Sequence, residues 1–357
     1  MMNADTELNH ARRLHVATWL ALVAIYLIVA ICMASSQFSF VVESGLLASV
    51  ETAAAFAAVG YVISRWSWGL RPAFVLLALA QLNILFLCGT PLSYIAASAA
   101  LPLQDHSLAR LDELLGLDWP GYYRYFVSQP ELLRYVPMFY AMIGWLGLGV
   151  PLLLGLTKNP LRLQQFTLAC VIAVFVTALV SALFPAVGTY QHYGLPPETA
   201  DFRATGYLVQ LDRLPFVRDG SLRALNVTQL GGIVTFPSFH AAAAALALWG
   251  CWSVWWSRPI AIVTNGGMLV VTPLVGGHYF IDVIAGIVVA VLATAAASSL
   301  RLPSMDRRGA MFGLRQRTEP ARTAHAMAKT RRLAVTPCSP QVSSISQRLS
   351  MRRRRGS

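Results

Sequence analysis

The sequence predicts an all-α protein, a polytopic transmembrane helical bundle of about eight spans. Three observations carry that prediction. Of 357 residues, 56% are hydrophobic and 12% charged, whereas a soluble domain carries about 25% charged residues. The apolar residues are gathered into runs of about 20, the length at which a helix crosses a hydrocarbon core of about 30 Å. The charge is also unevenly placed. Residues 301–357 hold fourteen Arg and Lys against Asp306 and Glu319, which leaves 14 basic and 14 acidic residues over 1–300. The net charge of +12 therefore belongs to the tail, and the folded part is no nucleic-acid binder by charge.

The expected spans are 17–35, 45–64, 72–99, 135–156, 164–187, 236–256, 259–276 and 279–300. His10, Arg12 and Arg13 precede the first, which lacks a small-residue cleavage site and reads as a retained span. The second contains Glu51, the third Asn83 and the seventh Asn265. Interhelical hydrogen bonding is the default expectation for the two asparagines. Trp252, Trp255 and Trp256 close the sixth span as interfacial anchors. Four of the five cysteines lie in or beside apolar runs and none forms a CxxC pair, so no disulfide or zinc framework is expected.

The links after spans two, four and six contain Arg65 and Arg71, Lys158 and Arg162, and Arg258. By the positive-inside rule these links and both termini are cytoplasmic. The long links 100–134 and 188–235 are then extracytoplasmic. Residues 1–100 form N-terminal spans, 101–300 a catalytic membrane domain, and 301–357 a disordered basic tail. The tail ends MRRRRGS, and its charge can hold anionic lipid headgroups, although a solvated tail is the plainer reading.

Two stretches carry chemistry. In GIVTFPSFHAAAAALALWG, His240 stands in the first turn of an apolar helix. In TPLVGGHYFIDVIAG, His278 and Asp282 are spaced i, i+4, which puts both on one helix face. A carboxylate there fixes the imidazole tautomer and leaves the other nitrogen as a nucleophile or base. Gly276 and Gly277 precede His278 and allow close backbone approach. Pro237 suits a first helical turn, and Thr235 or Ser238 can cap it. The topology brings His240, His278 and Asp282 to one membrane face. Two helix N-termini, each with a histidine, make a phosphate site without a metal. A metal site on the same three residues is the rival reading, although the sequence offers no further ligand cluster.

TFPSFHAA followed by TPLVGGHYFIDVIAG resembles the type 2 phosphatidic acid phosphatase superfamily. Leu111–Phe126 (LDELLGLDWPGYYRYF) and Leu183–Tyr190 (LFPAVGTY) are similar to its inositolphosphotransferase-like branch, which includes inositol phosphorylceramide synthases. The resemblance covers most of 105–290. It implies a core like the six-helix lipid phosphate phosphatase fold. It also implies a lipid phosphotransferase that works through a phosphohistidine, without metal or soluble cofactor, on a membrane lipid phosphate or phospholipid. His278 would be the nucleophile, Asp282 its partner and His240 the acid and base. A polyol or inositol hydroxyl would be the acceptor of a phosphoinositol-type headgroup. Water as acceptor would make the chain a lipid phosphate phosphatase. An inactive lipid-binding or transport protein is the alternative from another class. The sequence departs from the superfamily pattern at Thr272, where an arginine is usual, and lacks a KxxxxxxRP match. Arg218 and Arg223 are the replacement candidates for phosphate binding, with Ser238 and Gly277 contributing beside the histidines.

Overall fold

The computed structural model describes residues 4–66, 69–226 and 230–300; the basic tail expected from 301 lies outside them. The described residues are built almost wholly from helices. In chain order they are α1 (Ala4–Ser35), α2 (Ser44–Ile63), α3 (Leu70–Ser98), α4 (Asp105–Leu114), α5 (Trp119–Val127), α6 (Pro130–Leu133), α7 (Val136–Tyr140), α8 (Gly144–Gly147), α9 (Gly149–Leu156), α10 (Pro160–Leu183), α11 (Thr189–Tyr193), α12 (Thr205–Arg218), α13 (Phe239–Cys251), α14 (Arg258–Gly276) and α15 (Phe280–Ser299). Two short strands, β1 (Ser39–Phe40) and β2 (Ala224–Leu225), pair in parallel with Ser39 opposite Ala224.

Among the described residues, α1, α2, α3, α10, α14 and α15 are long and apolar enough to cross a membrane. A seventh crossing arises if Pro130–Gly147 and Gly149–Leu156, bent by 51° at their junction, count as one span. Of the eight expected spans, six coincide with these helices, the fourth coincides with the bent pair, and the sixth falls on a shorter apolar helix. The expected span 236–256 contains a helix of 13 residues, Phe239–Cys251, about 20 Å long at 1.5 Å per residue. Its flanks are spent on a serine cap and a Trp-rich turn, so a hydropathy run of 21 residues overstates it.

The core is laid down by helical periodicity. On α1 the buried residues Ala11, Leu14, Leu22, Ile25, Val29 and Met33 follow the i, i+3, i+4 rule, while Leu20, Val23, Leu27 and Ile31 face outward. That stripe shares one apolar cluster with α3, α10, α13 and α15. In α13 the run Ala241–Ala244 is wholly buried. Small side chains let α15 come close, and Gly286 of α15 lies against the Ser238 carbonyl and Ala241. This contact sets the N-termini of α13 and α15 side by side. The asparagines behave differently from expectation. Asn265 Nδ2 donates to the Ala261 carbonyl of its own helix at 2.9 Å, and Asn83 Oδ1 is buried without a hydrogen-bond partner among the described residues.

Candidate active site

The turn between α14 and α15 is built by glycine. Gly277 ends α14 in the left-handed region, φ +63°, where a Cβ would be strained. Its amide donates to Pro273 and its carbonyl accepts from Thr189 N at 2.9 Å. Gly277, expected among the phosphate binders, therefore has its amide engaged in the turn. Gly188 abuts it at φ +120°, and a Cβ there would lie 2.6 Å from the Gly277 oxygen.

His278 follows the turn and is 3% exposed. Its Nδ1 lies 2.8 Å from the Thr235 carbonyl oxygen and 3.4 Å from Asp282 Oδ2. Both neighbours only accept hydrogen bonds. Nδ1 therefore carries the proton in the neutral ring, and Nε2 keeps the lone pair. The i, i+4 spacing brought His278 and Asp282 together as expected, yet the closer partner is a backbone carbonyl from the other motif. Thr235 is itself pinned. Its hydroxyl donates to the Ala186 carbonyl at 2.8 Å, and Gln210 Nε2 bonds to that hydroxyl and to the Ala186 and Val187 carbonyls.

Ser238 is the N-cap of α13 and accepts from Ala241 N at 3.4 Å. Ser238 N donates to the Asp282 carbonyl at 3.0 Å, which ties the two histidine motifs together. His240 occupies the first turn of α13. Its ring stacks on Tyr140 with centroids 4.0 Å apart and planes 14° apart, and its Nδ1 lies 3.3 Å from the Tyr140 hydroxyl. Phe239 N and His240 N, the first two amides of α13, have no hydrogen-bond partner among the described residues.

The α15 terminus is closed instead. Asp112 Oδ2 accepts from Phe280 N and Oδ1 from Ile281 N, both at 2.8 Å, and Asp282 Oδ2 accepts from Tyr279 N at 2.9 Å. Burial pushes the Asp112 carboxyl up, and the two amides oppose that rise. Two turns earlier on α4, Asp105 accepts from Val187 N at 2.9 Å, Gly188 N at 2.7 Å and the Tyr279 hydroxyl at 3.0 Å. α4 thereby grips both loops beneath His278. α5 adds an aromatic wall. Trp119 stacks on Tyr123 and Tyr193 and meets Tyr190 edge-on, whose hydroxyl donates to the Leu274 carbonyl at 2.6 Å.

Arg218 and Arg223, the cations expected to bind phosphate, each hydrogen-bond to backbone carbonyls. Arg218 Nη2 donates to the Leu101 carbonyl at 2.9 Å. Arg223 Nη1 donates to the Val217 carbonyl at 2.9 Å, and its guanidinium lies 4.6 Å from the Phe38 ring centre. Both make their hydrogen bonds to backbone carbonyls and neither to His240, His278 or Asp282. Thr272, where the superfamily pattern has arginine, is buried and donates to the Met268 carbonyl at 2.7 Å. Among the described residues, no three His, Cys, Asp or Glu side chains stand together at metal-ligand positions.

Sequence reasoning missed Asp105, Asp112, Gln210 and Tyr140. The two aspartates lie seven apart on a short amphipathic helix, a repeat that signals one face and could have marked them as a pair. No local signal marks Gln210 or Tyr140.

The family model described as PAP2 superfamily matches residues 106–296. That range begins at α4 and takes in both histidine motifs. No curated protein matches the chain, and no solved structure does.

Proposed function

The chain belongs to the PAP2 superfamily, and from that premise we propose that it is an integral membrane lipid phosphotransferase that works through a phosphohistidine on His278. The observation that carries this reading is the Nδ1 contact with two acceptors, which presents Nε2 as the nucleophile.

In the first half-reaction Nε2 attacks the lipid phosphorus. The Nε2–P bond forms as the bond to the leaving oxygen breaks, and His240 gives that oxygen a proton. Positive charge develops on His278, and the Thr235 carbonyl and Asp282 stabilise it through Nδ1–H. In the second half-reaction His240 takes the proton of the acceptor hydroxyl, whose oxygen attacks phosphorus and releases His278. Proton transfer of this kind contributes about 10²–10⁴-fold. With no arginine at position 272, the phosphoryl oxygens fall to the free amides at the start of α13, which carry the positive end of the helix dipole.

The acceptor distinguishes two readings. A sugar or inositol hydroxyl makes the chain a transferase of a phosphoinositol-type headgroup, and water makes it a lipid phosphate phosphatase. The likeness of Leu111–Phe126 and Leu183–Tyr190 to the inositolphosphotransferase-like branch favours the alcohol, and those stretches are the ones that wrap the His278 turn. The site faces away from the cytoplasm in this reading. Arg258 opens α14 and Gly276 ends it, so 19 residues, about 28 Å of helix, separate a cytoplasmic cation from the histidine end. With the eight crossings expected from the sequence, both termini lie on the cytoplasmic side.

The test uses purified protein in detergent with chelator present. Lipid phosphates and phospholipids are offered with and without inositol, and His278→Ala is the control. A new headgroup lipid, lost in the variant, supports transfer, and phosphate release lost in the variant supports the phosphatase. Turnover that vanishes with chelator would favour the metal reading. Equal inactivity of both proteins would favour a lipid-binding protein.

A further inference from the structure

Tyr140 reaches the candidate site through space made for it. It ends α7, and its hydroxyl lies against Gly206 of α12 and 3.3 Å from the point where a Cβ on Gly276 would stand. His278 Nε2 is 2.8 Å from that same point. The preceding residue, Phe139, packs its ring onto Gly267 of α14. A bulkier residue at Gly206 or Gly267 would displace α7 and carry Tyr140 away from His240. Three glycines on two helices therefore fix one aromatic ring over one imidazole.

We propose that Tyr140 is a positioning residue for His240, whose stacked phenol ring stabilises the imidazolium that delivers the proton. This rests on the reading of His240 as the acid and base. The near-parallel rings at 4.0 Å put the electron-rich face of the phenol against His240, where a cation gains and a neutral ring gains little. The 3.3 Å contact between the hydroxyl and Nδ1 is long for a hydrogen bond, and a ring N–H points within its own plane rather than across a stack. The ring face, not the hydroxyl, is therefore the acting group. Among the described residues, the titratable groups facing His240 are Tyr140 from α7 and His278 from the α14–α15 turn, and Asp282 lies behind His278. The stacked phenol face is what favours a charge on His240 at this place. Protonated His240 gives Nε2–H to the leaving oxygen and becomes neutral, then recovers a proton from the acceptor.

The direct test is the NMR titration of His240 in labelled, detergent-solubilised protein, which needs no substrate. Tyr140→Leu is expected to lower the midpoint by about one pH unit, and Tyr140→Phe to leave it within a few tenths. If Tyr140→Leu titrates where the parent does, the proposal fails. It fails equally if Tyr140→Phe falls as far as Tyr140→Leu, because the hydroxyl would then be the acting group. Each variant's amide spectrum and thermal midpoint are compared with the parent's to confirm that it is folded. In turnover assays the leucine variant should lose about tenfold or more in kcat with little change in KM, and phenylalanine should restore it. Turnover of the parent that does not depend on His240 would overturn the acid–base reading and leave the titration result as a separate fact about the stack.

Discussion

The N-termini of α13 and α15 look alike in sequence. Each follows a Gly- or Pro-containing turn, each bears a histidine at or near its start, and each begins an apolar helix. In the structure they differ in what meets their amides. At α15 the first two amides are taken by Asp112 and the cap amide by Asp282. At α13 the first two have no partner among the described residues, and the third is capped by Ser238. A helix start favours an anion, and the protein supplies its own anion at one start and leaves the other open. The closed end holds the proposed nucleophile, His278, still, and the open end is where an incoming anion has something to gain.

This contrast can be broken at several points, with effects of decreasing size. His278→Ala should remove turnover by about 10⁴-fold or more, as loss of a nucleophile does elsewhere, while the protein stays folded and monodisperse in detergent. Gly276→Ala should come next. A Cβ there would lie 2.5 Å from His278 Cδ2, and a displaced nucleophile costs about 10²-fold. Its signature is a low kcat with thermal stability close to that of the parent.

Asp112→Leu attacks the closed terminus and should act mainly on stability. It strands two buried amides at about 1–3 kcal/mol each, so the thermal midpoint in detergent should fall by several degrees and activity should fall with it. Asp112→Asn keeps one acceptor and should lose about half as much. If neither variant changes stability, the carboxylate is not what closes α15. Ser238→Ala removes a single long cap bond and should cost about 1 kcal/mol or less, with KM nearly unchanged. Arg218→Gln and Arg223→Gln should change KM for the lipid by less than about twofold, because both side chains are tied to backbone carbonyls. A tenfold rise in KM for either would place that arginine at the phosphate after all.

Sequence made the two histidine motifs legible more readily than the contacts that hold them. The histidine motifs could be read because each is local: i, i+4 spacing and a Pro-Ser cap need only neighbouring residues. The helices of α1, α3, α10, α14 and α15 were legible for the same reason, as long apolar runs. The expected span at 236–256 overshot because hydropathy averages over a cap and a Trp turn that are not part of α13. The grip of Asp112 on Phe280 and Ile281 crosses 168 and 169 residues of chain, and no local pattern reports such a distance. The Thr235 carbonyl was invisible for a different reason, since every residue has a carbonyl and only the fold selects one. Arg218 and Arg223 drew attention by charge and by nearness in sequence to His240. Their guanidinium groups bond to the Leu101 and Val217 carbonyls, partners that charge and nearness in sequence do not report.

The most direct measurement is to trap the enzyme-bound phosphorus. Protein would be incubated with phosphorus-labelled lipid phosphate, quenched in alkali and mapped by mass spectrometry, with phosphorus NMR to assign the ring nitrogen. The account predicts base-stable, acid-labile phosphate on His278, attached at Nε2, because Nδ1 is held by the Thr235 carbonyl. Phosphate on Nδ1, or turnover that persists in His278→Ala without any phosphohistidine, would contradict it.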